Sequence, residues 1–127
     1  MIELLVTGAL LTGRGPLGAA RQNADMSELP TVTPDQIDTL SGSDWMLLDV
    51  RTDAEWVEGR IDGSTHIPLD QLMARVDEVG QKVVCICAVG GRSAQATAYL
   101  NTLGREAVNL DGGVQRWAAE SRPLTSG

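Results

Sequence analysis

The sequence predicts an α/β fold in which helices cover both faces of a mostly parallel sheet. From Leu29 onward, short apolar runs alternate about five times with segments of helical periodicity. The connections between successive apolar runs are too long for β-hairpins, and parallel strands require such long crossovers. A chain of 127 residues, 43% of them apolar, is suited to one compact domain and argues against wholesale disorder.

The first helix and the first long strand follow from an N-cap and an apolar run. Thr33-Pro34-Asp35-Gln36 supplies a cap, a proline at the first helical position and a glutamine three residues after the cap. Ile37 and Leu40 share one face of this helix, which Ser41-Gly42 is expected to end. Residues 45–50 form an apolar run with the length of a buried strand.

A second cap and a brief strand follow before residue 80. Thr52-Asp53-Ala54-Glu55 is a capping box for a short helix that Gly59 ends. Residues 64–67 predict a brief strand. Asp70 then caps a predicted helix whose inner stripe consists of four apolar residues, Leu72, Met73, Val76 and Val79.

The second half of the chain adds two strands and two helices. Residues 82–87 are the most hydrophobic candidate strand, so we expect them at the centre of the sheet. Residues 92–103 have helical periodicity, and Gly104 follows where helices commonly take a left-handed turn. Residues 106–110 form the next strand, and residues 111–113 turn into the last helix. The apolar stripe of this helix contains Val114 and Trp117.

Residues 1–26 differ from the rest of the chain. Two arginines there balance one glutamate and one aspartate, so the whole formal charge of −7 lies in residues 27–127. The start, Met1-Ile2-Glu3, lacks the positive charge of a signal peptide, and Gly8 interrupts the apolar run that follows. We expect residues 1–26 to be a poorly ordered extension and residues 27–127 to be the folded domain.

The charge and the potential metal ligands exclude several classes of function. The chain has ten lysine and arginine residues against seventeen aspartate and glutamate residues. Such an acidic protein is a poor binder of nucleic acid or anionic membranes. No apolar run approaches the ~20 residues of a membrane span. Two cysteines and one histidine cannot supply the four ligands of structural zinc, so we expect no metal and no other cofactor. Cys85 and Cys87 are poorly placed for a disulfide with each other, and free cysteines favour a reducing compartment, the cytoplasm.

The loop that begins at Cys87 carries the strongest chemical signal. It follows the predicted central strand, and open α/β sheets bind their ligands at the carboxyl ends of the strands. Gly90 and Gly91 allow backbone N–H groups to turn inward and hold an anion. The start of the next helix and Arg92 then favour the thiolate, which is the nucleophilic form of cysteine.

A packing role is the alternative for each candidate residue. Free cysteines are often buried, so Cys87 is open to interpretation as a core residue at the end of a strand. The residues that follow, Gly90-Gly91-Arg92-Ser93, favour the interpretation of Cys87 as a reactive nucleophile. Cys85, inside the strand, is better explained by packing, and so is His66 in its connecting segment.

Three motifs of the chain resemble those of the rhodanese-like (sulfurtransferase) domain family. Leu48-Asp49-Val50-Arg51, followed by Glu55 and Gly59, resembles the family's Asp-Val-Arg motif. Cys87-Ala88-Val89-Gly90-Gly91-Arg92-Ser93 resembles its active-site loop. Asn109-Leu110-Asp111-Gly112-Gly113 resembles its closing motif. The resemblance extends over residues 30–124.

This resemblance implies a five-stranded sheet and a sulfurtransferase mechanism. Cys87 is then the catalytic nucleophile, which takes the outer sulfur of a small anionic donor such as thiosulfate and holds it as a persulfide. The sulfur passes to a thiophilic acceptor such as a thiol or cyanide. Asp49 and Arg51 would support the loop through buried polar contacts, and Arg92 would add charge. The implied substrate-binding residues are Ala88, Val89, Gly90, Gly91, Arg92 and Ser93.

The loop also leaves alternatives for the donor and for the function. Ala88 and Val89 are neutral, so Arg92 is the single cation of the loop that can bind the thiosulfate dianion. A protein persulfide is therefore a second candidate donor. One alternative function is a binding or regulatory module that keeps the fold without turnover. Another is a cysteine-dependent phosphatase or arsenate reductase. Four residues separate Cys87 from Arg92, one fewer than in the Cys-x5-Arg phosphatase motif, and a smaller cradle suits sulfur better than phosphate. We expect a monomer.

Overall fold

A computed structural model of the protein describes residues 29–40 and 44–127. The predicted extension, residues 1–26, and the predicted helix end at Ser41-Gly42 lie outside these residues. The elements in chain order are β1 (Thr31–Val32), α1 (Pro34–Leu40), β2 (Trp45–Asp49), α2 (Asp53–Glu58), β3 (Thr65–His66), two 3-10 turns (Leu69–Gln71 and Val76–Glu78), β4 (Lys82–Ile86), α3 (Gly91–Thr102), β5 (Glu106–Leu110) and α4 (Gly113–Ala119).

The five strands form one parallel sheet in the order β1-β5-β4-β2-β3. β4 is the central strand, as its hydrophobicity predicted: Cys85 pairs with Leu48 of β2 on one side and with Asn109 of β5 on the other. Because the strands are parallel, the carboxyl ends of β2, β4 and β5 meet at one edge of the sheet. This edge is where open α/β sheets place their sites.

Helices cover both faces of the sheet, which confirms the predicted fold class. Successive side chains of β4 point to opposite faces. Val83, Cys85 and Cys87 pack with α3 and the segment 69–79, whereas Val84 and Ile86 pack with α1 and α4. The two apolar clusters together enclose β4, which is why its side chains are almost completely buried.

The short helix α2 begins and ends as its sequence predicted. The Thr52 hydroxyl accepts a hydrogen bond from the backbone N–H of Glu55, and the Glu55 carboxylate accepts one from the backbone N–H of Thr52. Gly59 follows the last helical residue and donates its N–H to the carbonyl of Glu55. A helix of six residues is too short to be stable alone, so this reciprocal cap fixes where α2 starts.

The helix predicted after Asp70 is wrong. Residues 69–79 instead contain the two 3-10 turns, whose N–H groups bond to carbonyls three residues back. Pro68, not Asp70, is the residue at the N-cap position of the first turn. Tertiary hydrogen bonds hold both ends of the segment, because Leu69 donates to the carbonyl of Val50 and the Arg105 guanidinium donates to the carbonyl of Val76.

The altered backbone changes which residues of this segment reach the core. Leu72 and Val79 are buried and Val76 packs against them, but Met73 is 73% exposed. Three of the four residues assigned to the inner stripe therefore contribute to the core, and Met73 does not. The apolar spacing was sufficient to find the buried positions but not the helix type that connects them.

Within residues 29–40 and 44–127, no helix has the length and apolar character needed to cross a membrane. The longest of these helices, α3, has 12 residues.

Truncating Leu72 should destabilise the domain far more than truncating its neighbour. Leu72→Ala removes a side chain that is 1% exposed and leaves a cavity, so the free energy of unfolding should fall by about 2–5 kcal/mol. Met73→Ala should change it by less than about 0.5 kcal/mol, because this side chain is exposed. Urea unfolding of both variants measures the difference. A comparable loss in both would support the predicted helix instead of the 3-10 turns.

Candidate active site

Cys87 lies immediately after β4, at the carboxyl edge of the sheet. The residue is only 1% exposed, so its sulfur is at the bottom of the loop 87–93 and not on the protein surface. The loop leads directly into α3, which begins at Gly91. The structure therefore brings the seven residues assigned to the site, 87–93, into one turn around the sulfur.

Two hydrogen-bond donors of the loop point at the Cys87 sulfur. The backbone N–H of Gly90 lies 3.1 Å from Sγ, and the Ser93 hydroxyl lies 3.3 Å from it. Gly90 has φ of 112°, a left-handed conformation that side chains rarely adopt, and it is the N-cap residue at which the loop turns into α3. The loop is thus shaped to hold a negative charge on Sγ.

The other side of the loop is held by the start of α4. The backbone N–H of Val114 donates to the carbonyl of Cys87 at 2.8 Å, and that of Gln115 donates to the carbonyl of Ala88 at 3.0 Å. Gly113 makes this approach possible, because a Cβ at this position would overlap both carbonyl groups. Because the carbonyl and N–H of a peptide group lie on opposite sides, fixing the Ala88 carbonyl outward directs the N–H of Val89 towards the sulfur.

These hydrogen bonds decide the acidity of Cys87. Burial disfavours the thiolate and by itself would raise the pKa, but hydrogen bonds from the Ser93 hydroxyl and from the backbone N–H groups of Ser93, Gly90 and Val89 outweigh it. The pKa of Cys87 is therefore lower than that of an ordinary cysteine. The direction agrees with the sequence-based expectation. The sequence indicated the backbone N–H groups of the loop, the start of the next helix and Arg92, and the largest causes that lower the pKa are the Ser93 hydroxyl and the backbone N–H groups.

Asn109 is a buried partner of the loop that the sequence interpretation did not assign to the site. Its Oδ1 accepts from the Ser93 hydroxyl at 2.5 Å, and its amide nitrogen donates to the carbonyl of Gly90 at 3.2 Å. The single hydroxyl proton of Ser93 is thus shared between Asn109 and the sulfur. An asparagine between two apolar residues near the end of strand β5 was the available signal, since a buried amide requires partners.

Arg92 is held by a carboxylate at the edge of the loop. Its two terminal nitrogens donate to the two carboxylate oxygens of Glu55 at 2.7 and 2.9 Å. The Arg92 guanidinium lowers the pKa of Glu55 to about 2, so the pair stays charged at every pH at which the protein is handled. The sequence indicated Glu55 as the cap of α2 and as part of a motif, but not as the partner of Arg92.

Asp49 and Arg51 form a buried ion pair at the end of β2. Arg51 Nη2 lies 2.8 Å from Asp49 Oδ2, and the same nitrogen donates to the carbonyl of Gly59 at 2.7 Å. The pair therefore ties the end of β2 to the end of α2. It reaches the Cys87 loop through α2, because Glu55 on that helix binds Arg92, and through β4, because the N–H of Val50 donates to the carbonyl of Ile86. The expected buried polar contacts exist, and their direct partner is the α2 segment.

The other two candidates have the packing environment that the sequence favoured for them. Cys85 is fully buried, and this burial raises the pKa of its thiol to about 12, so it is inert at neutral pH. The His66 ring stacks on Trp56 with centroids 4.7 Å apart, and its Nε2 lies 2.8 Å from the carbonyl of Arg51. Both cysteines are free.

An open groove of about 430 Å³ lies beside the loop. Residues 50–53, residues 68–71 and Arg92 line it. Val89, at the outer end of the loop, is 60% exposed. In the part of the chain that the structure describes, no three metal-ligating side chains come together, so these residues offer no metal site.

Comparison with known proteins identifies relatives among rhodanese-like domains and sulfurtransferases. The family profile of the rhodanese-like domain matches residues 33–120. A sulfurtransferase of Allochromatium vinosum is 37% identical over 86 residues, which cover 65% of this chain and 80% of the relative. A thiosulfate sulfurtransferase, GlpE of Ectopseudomonas mendocina, is 31% identical over 98 residues, covering 74% of this chain and 89% of the relative.

A solved structure has the same fold. The crystal structure of a rhodanese-related protein from Thermoplasma volcanium matches 77% of this chain and 99% of its own, with 30% identity and a TM-score of 0.72. This chain therefore shares its overall fold with that protein.

Removing the Ser93 hydroxyl should make Cys87 less acidic. Ser93→Ala deletes the side-chain donor 3.3 Å from the sulfur, so the pKa of Cys87 should rise and its thiolate should appear only at higher pH. The ultraviolet absorbance of the thiolate, followed over a pH titration, measures this shift. Cys85 does not interfere, because the pKa of its thiol is about 12. An unchanged or lower pKa would show that Ser93 donates only to Asn109.

A side chain at Gly113 should damage the site more than one at Gly104. Both glycines have positive φ, 59° and 86°, but a Cβ at Gly104 has open space around it. Gly104→Ala should destabilise the fold by about 1–2 kcal/mol from backbone strain alone. Gly113→Ala adds the overlap with the Cys87 loop, so we expect a loss above about 3 kcal/mol and a higher pKa of Cys87. Denaturant unfolding and thiolate titration of both variants test this; equal losses would refute the role of the close approach.

Proposed function

Because the chain belongs to the rhodanese-like domain family, we propose that it is a sulfurtransferase that carries a sulfane sulfur as a persulfide on Cys87. The observation that supports this most directly is the ring of donors around Sγ, with Gly90 N–H at 3.1 Å and the Ser93 hydroxyl at 3.3 Å. Such a ring stabilises a thiolate before transfer and a charged outer sulfur after it. The proposed donor is a small sulfur-carrying anion such as thiosulfate.

The first half of the proposed reaction loads the enzyme. The Cys87 thiolate attacks the outer sulfur of thiosulfate, a new S–S bond forms, and the bond between the two sulfurs of the donor breaks. Its electron pair leaves with sulfite. In this proposal the backbone N–H groups of residues 88–93, among them those of Val89, Gly90 and Ser93 that already donate to Sγ, bind the charge that the transferred sulfur now bears.

The second half returns the enzyme to its starting state. A thiophilic acceptor, such as a thiolate or cyanide, attacks the outer sulfur of the persulfide. The S–S bond to Cys87 breaks, and its electron pair regenerates the thiolate. With cyanide the product is thiocyanate, and with a thiol it is a new persulfide. No cofactor or metal enters either half.

The supporting residues act through the backbone of the loop. Asp49 and Arg51 tie β2 to α2, and α2 positions Arg92 through Glu55. Asn109 holds Gly90 and Ser93, the two donors nearest the sulfur. We further propose that the domain acts as a monomer in a reducing compartment, the cytoplasm, because both cysteines are free.

The geometry favours sulfur transfer over the two alternatives. Four loop residues separate Cys87 from Arg92, and Arg92 already binds the Glu55 carboxylate, so the cradle is ill suited to a phosphate ester. A module without turnover needs no acidic thiol, yet the pKa of Cys87 is lowered by the Ser93 hydroxyl and backbone N–H groups against the effect of burial.

Brief exposure of the reduced protein to a sulfur donor should add one sulfur atom to Cys87. Intact-mass measurement should show the gain after thiosulfate treatment, and cyanide should remove it with release of one equivalent of thiocyanate. The attack requires the thiolate, whose formation the donors around Sγ favour. Digestion and peptide masses then assign the sulfur to one cysteine.

Two variants serve as controls for this measurement. Cys87→Ser should take up no sulfur, whereas Cys85→Ser should load normally, because Cys85 is buried and keeps its proton. If the protein gains no sulfur from thiosulfate or from a persulfide donor, the sulfurtransferase proposal fails, and the interaction-module alternative takes its place.

A further inference from the structure

The Cys87 loop contains a single cation, and that cation is already neutralised. Within the sequence 87–93 only Arg92 is positively charged. Both of its terminal nitrogens are bound to Glu55, at 2.7 and 2.9 Å, in the two-pronged arrangement that arginine and carboxylate form most strongly. The side chains of Arg92 and Glu55 are 36% and 32% exposed, so the pair is only partly screened by water.

The capping of α2 keeps Glu55 in this position. Its Oε1 accepts from Arg92 and also from the backbone N–H of Thr52 at 3.0 Å. The carboxylate is therefore fixed by its own helix and cannot follow Arg92 if the guanidinium turns towards a ligand. For Arg92 to bind an incoming anion, it would have to give up two charge-assisted hydrogen bonds.

We propose that Glu55 determines the donor class: by holding Arg92 it withholds positive charge from the donor, so that the site prefers alkyl persulfides, R–S–SH, to dianions such as thiosulfate. This inference rests on the proposed sulfurtransferase function. Glu55 acts through Arg92 and does not touch the reacting sulfur, so it is a specificity-determining positioning residue.

The charges that line the groove beside the loop also disfavour a dianionic donor. Of the residues that line it, Arg51 is paired with Asp49 and Arg92 with Glu55, while Asp53 and Asp70 add two further carboxylates. The groove borders the Cys87 loop at Arg92, so these carboxylates repel a dianion that approaches the loop from this side. The exposed Val89 at the end of the loop offers an apolar contact that an alkyl chain can use and a sulfite group cannot.

The chemistry with an alkyl persulfide balances in the same way as with thiosulfate. The Cys87 thiolate attacks the outer sulfur of R–S–SH, the bond between the two donor sulfurs breaks, and R–S⁻ leaves with the electron pair. The proton of the donor remains on the transferred sulfur, and R–S⁻ takes a proton from water. The leaving group is a singly charged thiolate, so no dianion has to be held at any stage.

The test is to remove the charge of Glu55 while keeping one acceptor oxygen on its side chain. Glu55→Gln retains an oxygen for the Thr52 N–H and Arg92 but loses the negative charge. Glu58→Gln, an exposed position on the same helix, changes the net charge of the protein by the same amount and is the matched control. Circular dichroism and thermal unfolding verify that both variants are folded.

In Glu55→Gln, kcat/KM for thiosulfate should rise about fivefold relative to kcat/KM for cysteine persulfide, because an unpaired cation near the sulfur attracts the dianion more strongly. The gain should shrink with added salt. Glu58→Gln should change the same ratio by less than about twofold. The ratio cancels any change in the reactivity of the sulfur itself. Equal ratios in the two variants would overturn the proposal.

Two further measurements separate this inference from the proposed function. Iodoacetate and iodoacetamide both alkylate Cys87, but only iodoacetate is negatively charged. The rate with iodoacetate divided by the rate with iodoacetamide should rise about fivefold in Glu55→Gln and stay unchanged in Glu58→Gln. The pKa of Cys87, from thiolate absorbance, should fall in Glu55→Gln only. If Glu55→Gln shows these two effects but the protein takes up no sulfur, the sulfurtransferase function is disproved and the charge role of Glu55 stands. Loading without these effects would overturn the role of Glu55 alone.

Discussion

The contact between the start of α4 and the Cys87 loop is the constraint on which the site depends. Val114 and Gln115 bind the carbonyls of Cys87 and Ala88, and Gly113 has no side chain, so the two backbones can meet. Because a peptide group carries its carbonyl and N–H on opposite sides, fixing the Ala88 carbonyl outward leaves the N–H of Val89 facing the sulfur, and the loop then continues to the donors at Gly90 and Ser93. Without that ring of donors, burial would keep Cys87 protonated, as it does Cys85.

The site stabilises negative charge with dipoles more than with net charge. The donors nearest the sulfur, Gly90 N–H and the Ser93 hydroxyl, are neutral, and the one cation of the loop is bound by Glu55. Fixed dipoles in a dry cavity stabilise an anion strongly over a short range but attract a distant anion weakly. A protein with a formal charge of −7 can thus hold a thiolate and, in the proposed reaction, a charged persulfide without being a general anion binder.

Local chemistry explains which elements could be predicted. The capping box at Thr52 and the left-handed Gly104 are decided by neighbouring residues, and both are present in the structure. The strand 82–87 was recognisable because a central parallel strand is buried on both faces. The segment 69–79 was not, because 3-10 turns and a helix bury nearly the same positions, and long-range bonds to Val50 and Arg105 choose between them.

The sequence by itself determined the parallel α/β fold, the nucleophile candidate and the loop around it, because strand burial, capping and a glycine-rich turn act over a few residues. Only the tertiary structure decided which groups surround the sulfur. Asn109 and Glu55 come from β5 and α2, far from Cys87 in the chain, and meet the loop because the carboxyl ends of parallel strands share one edge. The charge of Arg92 was visible in the sequence, but its neutralisation was not, because an ion pair depends on the distance between two side chains and not on their separation in the chain.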